Sequence, residues 1–125
     1  MNINQVSGIV IDAAMKVHSA LGPGLLEHTY HVVLMYELRK RGLKVESEVE
    51  LPVIYDELKM DVGYRLDLLV EDCVVVELKA VEALAPIHHA ILLAYLKLSG
   101  KKVGLLINFN VVHLKDGIKR MVNNA

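Results

Sequence analysis

Val74-Val75-Val76-Glu77-Leu78-Lys79-Ala80-Val81 is an almost unbroken apolar run interrupted by one acid and one base. A continuous apolar strand is usually buried on both faces, in the middle of a sheet covered by helices. Burying either charge alone is expensive, so Glu77 and Lys79 each need a partner or a metal ion. Spaced by two, their side chains point to the same face of the sheet. Met60 to Val70 precedes this run and predicts the other arm of a hairpin turning at Glu71-Asp72. With a three-residue loop from Glu71 to Cys73, Asp67 falls opposite Glu77, with Cβ atoms about 5 Å apart.

The surrounding elements follow by periodicity. Val6, Ile9, Val10, Ala13, Val17 and Leu21 share one helical face, predicting a helix from about Asn4 to Leu21 that Gly22-Pro23-Gly24 stops. A second helix is predicted from Leu25 to Arg41, with Leu26, Tyr30, Val33, Leu34 and Leu38 as its stripe and Gly42 as its cap. Val45, Val49 and Pro52 to Tyr55 read as one or two strands with acids on the exposed face, and Asp56-Glu57 as a turn. Pro86 to Ser99 is helical, with Pro86 in its first turn and Gly100 after it. Val103 to Phe109 is expected to lie parallel to the Glu77 strand through that helix. Val111 to Lys115 is expected to pair next and to turn at Asp116-Gly117, and the last eight residues carry no clear pattern. This order predicts an α/β sandwich, a mixed sheet with helices on its faces.

The bulk composition fits one domain over residues 1–125. Such a chain buries about two-thirds of its unfolded surface and folds without staples. Hydrophobic residues are 54% and aromatics 5%, so the core is Leu, Val, Ile and Ala, and the surplus of apolar surface admits a homodimer. No apolar run approaches the ~20 residues that span a bilayer, and MNINQ has no signal-peptide pattern. The single Cys73 fits a reducing cytoplasm. A net charge of −1 argues mildly against binding nucleic acid through a broad basic face, although an acidic site can offset local basic clusters in the total.

Two carboxylates as close as Asp67 and Glu77 repel unless a cation lies between them. Oxygen ligands favour Mg²⁺ or Mn²⁺, and the Leu78 backbone carbonyl is a candidate further ligand. On spacing alone a metal-free Asp67–Lys79–Glu77 salt-bridge cluster competes equally with this reading. Glu27 and Tyr30 lie on one helix face, either as a helix-start acid with a core tyrosine or as groups reaching the same metal and substrate. His28, His31, His88 and His89 lack the spacing of four that suits zinc, though one of His88 and His89 is a candidate phosphate contact.

At these residues the chain resembles the GxxExxY family of the PD-(D/E)XK nuclease superfamily. The name motif is Gly24, Glu27 and Tyr30. The metal motif corresponds to Arg65-Leu66-Asp67-Leu68-Leu69-Val70 and Val76-Glu77-Leu78-Lys79-Ala80, with Gly104 to Phe109 and Gly117 to Arg120 also alike. The resemblance implies a restriction-endonuclease-like core. It also implies Asp67 and Glu77 as ligands of Mg²⁺ or Mn²⁺, Lys79 as the catalytic lysine, and Glu27 as the helix-borne acid that completes the site. Nucleic acid, DNA first, is the implied substrate, with Tyr30, Tyr95 and His89 as candidate contacts. Relatives often carry glutamine four residues before the helix tyrosine; here Tyr95 is kept and Ile91 stands in that position. A metal-dependent nuclease, a binding or scaffold module that no longer cleaves, and a hydrolase of other phosphate esters are the functions this pattern leaves open.

Overall fold

A computed structural model describes residues 1–124. Helices α1 (Ile3–Leu21) and α2 (Glu27–Lys40) lead into strands β1 (Val45–Glu50), β2 (Val53–Tyr55), β3 (Leu58–Met60), β4 (Arg65–Val70) and β5 (Val74–Lys79). Helix α3 (Pro86–Ser99), strand β6 (Val103–Asn108), a 3₁₀ turn (Leu114–Gly117) and strand β7 (Ile118–Val122) follow. The main sheet has the order β1-β4-β5-β6-β7, with β5 and β6 parallel and every other pair antiparallel. β2 and β3 form a separate hairpin around Asp56-Glu57.

Each end of α1 has a chemical cause. Asn2 caps it by accepting from the Gln5 amide, and Gln5 returns the bond to the Asn2 amide, both at 2.9 Å. Gly22 ends it at φ 68, where its amide donates to the His18 carbonyl. Side-chain alternation on β5 splits the core in two. Val74, Val76 and Leu78 pack with Val10, Val17, Tyr30 and Leu34 beneath α1 and α2. Val75 packs with Leu92, Leu96 and Leu106 beneath α3. Glu77 and Lys79 share the parity of Val75, so they lie on the α3 side.

The β4–β5 register is the expected one, with Val70 opposite Val74 across a Glu71–Cys73 loop. Glu71 and Asp72 take φ of 50 and 57, the left-handed pair that suits a tight hairpin. Two expectations are corrected. Met60 to Val70 is not one strand. Gly63, at φ 90, and the Asp61 carboxylate accepting from its amide turn the chain between β3 and β4.

Val111 to Lys115 is not a strand either; β7 comes from the last eight residues instead. Val111 and Leu114 serve as a plug, with Leu114 buried in the α1/α2 core and the Val111 carbonyl 2.7 Å from His18 Nε2. The chain does turn at Asp116-Gly117, and Gly117 there comes so close that a Cβ would lie 2.3 Å from the Asn108 carbonyl. No helix among the described residues is long and apolar enough to cross a membrane.

Gly117→Ala is expected to lower stability by about 3 kcal/mol through overpacking against fixed backbone. Urea unfolding followed by circular dichroism measures it; a change below about 1 kcal/mol would mean that the turn is free to shift.

Candidate metal centre at the opened end of the ladder

The β4–β5 ladder runs to Leu68 opposite Val76 and stops. One step further in the same register Asp67 faces Glu77, and their carboxylates replace the backbone bonds. The Asp67 amide donates to Glu77 Oε1 at 3.1 Å, and the Leu78 amide donates to Asp67 Oδ2 at 2.8 Å. An extended residue aims its carbonyl to the same edge as its amide, so the Leu78 carbonyl also points into this gap.

The β1–β4 ladder skips the same level. Ser47 pairs with Leu68 and Val49 with Leu66, but Glu48, opposite Asp67, sits at φ 53. That conformation is costly for a residue with a Cβ and is typical of functional sites. Glu48, Asp67 and Glu77 thus form one row across three neighbouring strands.

Helix α2 begins beside this row. Glu27 is its first residue; partial burial and then the Asp67 charge push its carboxyl upward, against the pull of Lys79 and His31. His31 stands one turn later, nearly buried, with Nε2 2.8 Å from Ser47 Oγ and Nδ1 4.0 Å from Glu48 Oε1. His31, Glu48 and Asp67 each offer a ligand atom, all within 4.8 Å of one another. One imidazole with two carboxylates suits Mn²⁺ better than Mg²⁺, whereas the Asp67–Glu77–carbonyl side is all oxygen.

Glu77 is 6% exposed. Burial, and next the charge of Asp67, push its carboxyl up to about 9. Lys79, half-buried, makes no ion pair within 4.0 Å among the described residues. The Asp67–Lys79–Glu77 salt-bridge cluster that spacing left open is therefore not formed. The acids face one another without a bonded base, and a divalent cation fits that electrostatic deficit.

The remaining candidate residues are distributed differently. Tyr30 is fully buried and stacked on Phe109 at 4.5 Å, the core-tyrosine alternative of the two sequence readings. Its hydroxyl donates to the Gly22 carbonyl at 2.6 Å and accepts from the Leu25 amide at 3.1 Å. In that position it cannot touch a substrate; it pins the Gly22–Leu25 loop, and Gly24, at φ 99, donates to Asn110 Oδ1 in the same loop. Gly24 and Tyr30 together fix where α2 starts, and hence where Glu27 stands.

Tyr95 is half-buried on α3, its ring 5.9 Å from that of Tyr64; burial and then the Glu77 charge push its phenol upward. His89 lines a separate hollow of about 310 Å³ with Glu82, Asn108 and Lys119, and its Nε2 is buried without a hydrogen-bond partner among the described residues. Sequence reasoning missed Glu48, since regular alternation assigns it to solvent, and discounted His31, whose partners lie 16 and more residues away.

A family model described as the PD-(D/E)XK nuclease superfamily matches residues 4–121. The chain belongs to that superfamily, whose members are typically metal-dependent nucleases. No curated protein and no solved structure matches it.

Glu77→Gln tests the electrostatics. A folded-state value near 9 against about 4.5 unfolded means that the carboxyl contributes its full stability below pH 4.5 and loses it as pH rises towards 9. The metal-free variant, which keeps an acceptor for the Asp67 amide, should match wild type at pH 4 and exceed it by up to about 3 kcal/mol at pH 7. Equal melting profiles across this range would show that Glu77 ionises freely.

Proposed function

We propose that this protein is a divalent-metal-dependent nuclease that hydrolyses phosphodiester bonds, with DNA as its first candidate substrate. The observation that carries the reading is the Asp67–Glu77 pair, crossed over an opened ladder with no base bonded to it. Asp67, Glu77 and the Leu78 carbonyl would hold Mg²⁺ or Mn²⁺, with Glu27 meeting it through water. His31 and Glu48 share Asp67 on the other side of the row and extend the ligand set. The bound cation supplies Lewis-acid polarisation of a phosphate oxygen and a lower pKa for bound water.

Lys79 supplies the rest. Its ammonium lies on the Glu77 face of β5, where it orients the attacking water and stabilises negative charge developing on the phosphate. Glu27, whose carboxyl is pushed upward by partial burial and by Asp67, would take a proton from that water. The GxxExxY assignment, a cytoplasmic location and a homodimer belong to the same proposal and rest on the sequence. Ile91 favours the competing scaffold reading, because a hydrocarbon occupies the position where relatives often carry an amide. It leaves Asp67, Glu77 and Lys79 in place.

Calorimetric titration with Mn²⁺ and Mg²⁺ should give binding in the millimolar range or tighter for wild type and none for Asp67→Ala. Lys79→Ala should keep that affinity and the melting temperature while losing at least about 100-fold in metal-dependent nicking. Nicking at the wild-type rate by Lys79→Ala would sink the assignment, and wild type that binds neither ion would leave the scaffold reading.

A further inference from the structure

Beside the acid row lies an apolar cleft of about 460 Å³, lined by Val53, Tyr64, Ile91, Ala94, Tyr95 and Leu98. Its volume falls within the range of small-ligand sites. Tyr95 packs against the cluster of Leu66, Val75 and Leu92 on the α3 side of the sheet, the face that Glu77 shares with Val75. Tyr64 stands across from it. The Tyr64 carbonyl accepts from the Leu51 amide at 3.0 Å, and the following Arg65 is anchored to Asp61 and Glu50 at 3.5 and 3.7 Å. The two rings are tilted by 50°, so neither covers the other's face, and Tyr64, Ile91 and Leu98 are exposed.

We infer that this cleft takes one unpaired base of a nucleic-acid strand whose backbone lies on the metal centre, so that the substrate is single-stranded or frayed nucleic acid. The inference rests on the nuclease reading above and names its substrate class. Aromatic and aliphatic walls suit the face of any base, and stacking of this kind is tolerant of sequence. In a duplex the same face is hidden by its neighbours and reaches a pocket only by flipping.

The charges point the same way. Duplex binding rests on rows of Lys and Arg against phosphates. Here Arg39 is bonded to the Val45 carbonyl, Arg41 to Glu37, Lys101 to Asp72 and Arg120 to Asn4. Ile91 then acquires a use: an amide at that position would place a polar group in the wall, and isoleucine keeps it apolar.

The test uses short labelled oligonucleotides: single-stranded DNA and RNA, the DNA as a duplex, and the DNA strand with one abasic residue moved along it. Binding is read by anisotropy in Ca²⁺ and cleavage separately in Mn²⁺. Wild type should bind and cut the strands at least about tenfold better than the duplex. Tyr64→Ala should weaken strand binding about tenfold with metal affinity unchanged, and Tyr64→Phe should restore it. At one position the abasic residue should cost wild type about tenfold and cost Tyr64→Ala little more.

Equal or tighter duplex binding overturns the inference, as does an abasic penalty undiminished in Tyr64→Ala. A wild-type dimer in sedimentation that Tyr64→Ala dissociates without loss of strand affinity overturns it too, giving the cleft to a second copy. Lys79-dependent cutting that favours duplex would leave the nuclease standing and remove only the base cleft. No metal binding and no cutting of any substrate would remove the nuclease. A Tyr64-dependent strand affinity would even then place a base in the cleft.

Discussion

Two hydrogen bonds across the end of the β4–β5 ladder organise this molecule. The Asp67 amide is satisfied by the Glu77 carboxylate and the Leu78 amide by the Asp67 carboxylate. Buried backbone donors must be paired, and here the groups that pair them are also the ones that would bind a cation. The strands can therefore stop pairing at this level without orphaning an amide. The gap holds two acids that a regular sheet would have driven to its surface. Packing on both sides keeps Glu77 dry, and dryness makes its charge depend on company.

The segments that aim chemistry at this gap come from distant parts of the chain. Tyr30 and Phe109 stack between α2 and the end of β6, and the Tyr30 hydroxyl fixes the loop before Glu27. Asn108, at the end of β6, accepts from the Val81 amide at 3.1 Å and donates to the Val81 carbonyl at 3.0 Å. That clamp secures the chain just after Lys79. The motif spacing of glycine, acid and tyrosine is thus a positioning device as much as a chemical one. Only its acid faces the row.

Much of this was legible in the sequence because it follows from parity and register. Glu77 and Lys79 on one face, Asp67 opposite Glu77, and a parallel β6 after α3 need only alternation, a loop length and a crossover rule. Glu48 was not legible, because alternation cannot anticipate a residue turned to positive φ. His31 was not, because its partners Ser47 and Glu48 meet it only through the packing of α2 on β1. The stretch from Val111 to Lys115 read as a strand because its apolar residues are equally suited to plugging a core. The cleft of Tyr64 and Tyr95 joins a loop to a helix that no periodicity connects.

The Glu71–Cys73 hairpin sets a limit on how this protein can vary over generations. One residue added or lost there would slide β4 against β5 and put the Asp67 and Glu77 side chains on opposite faces of the sheet. Length change is thus forbidden at a surface turn where loops are ordinarily permissive, while the β2–β3 hairpin, outside the main sheet, is free to lengthen or shrink. Descendants of this chain can vary the small hairpin far more easily than the pairing of Asp67 with Glu77.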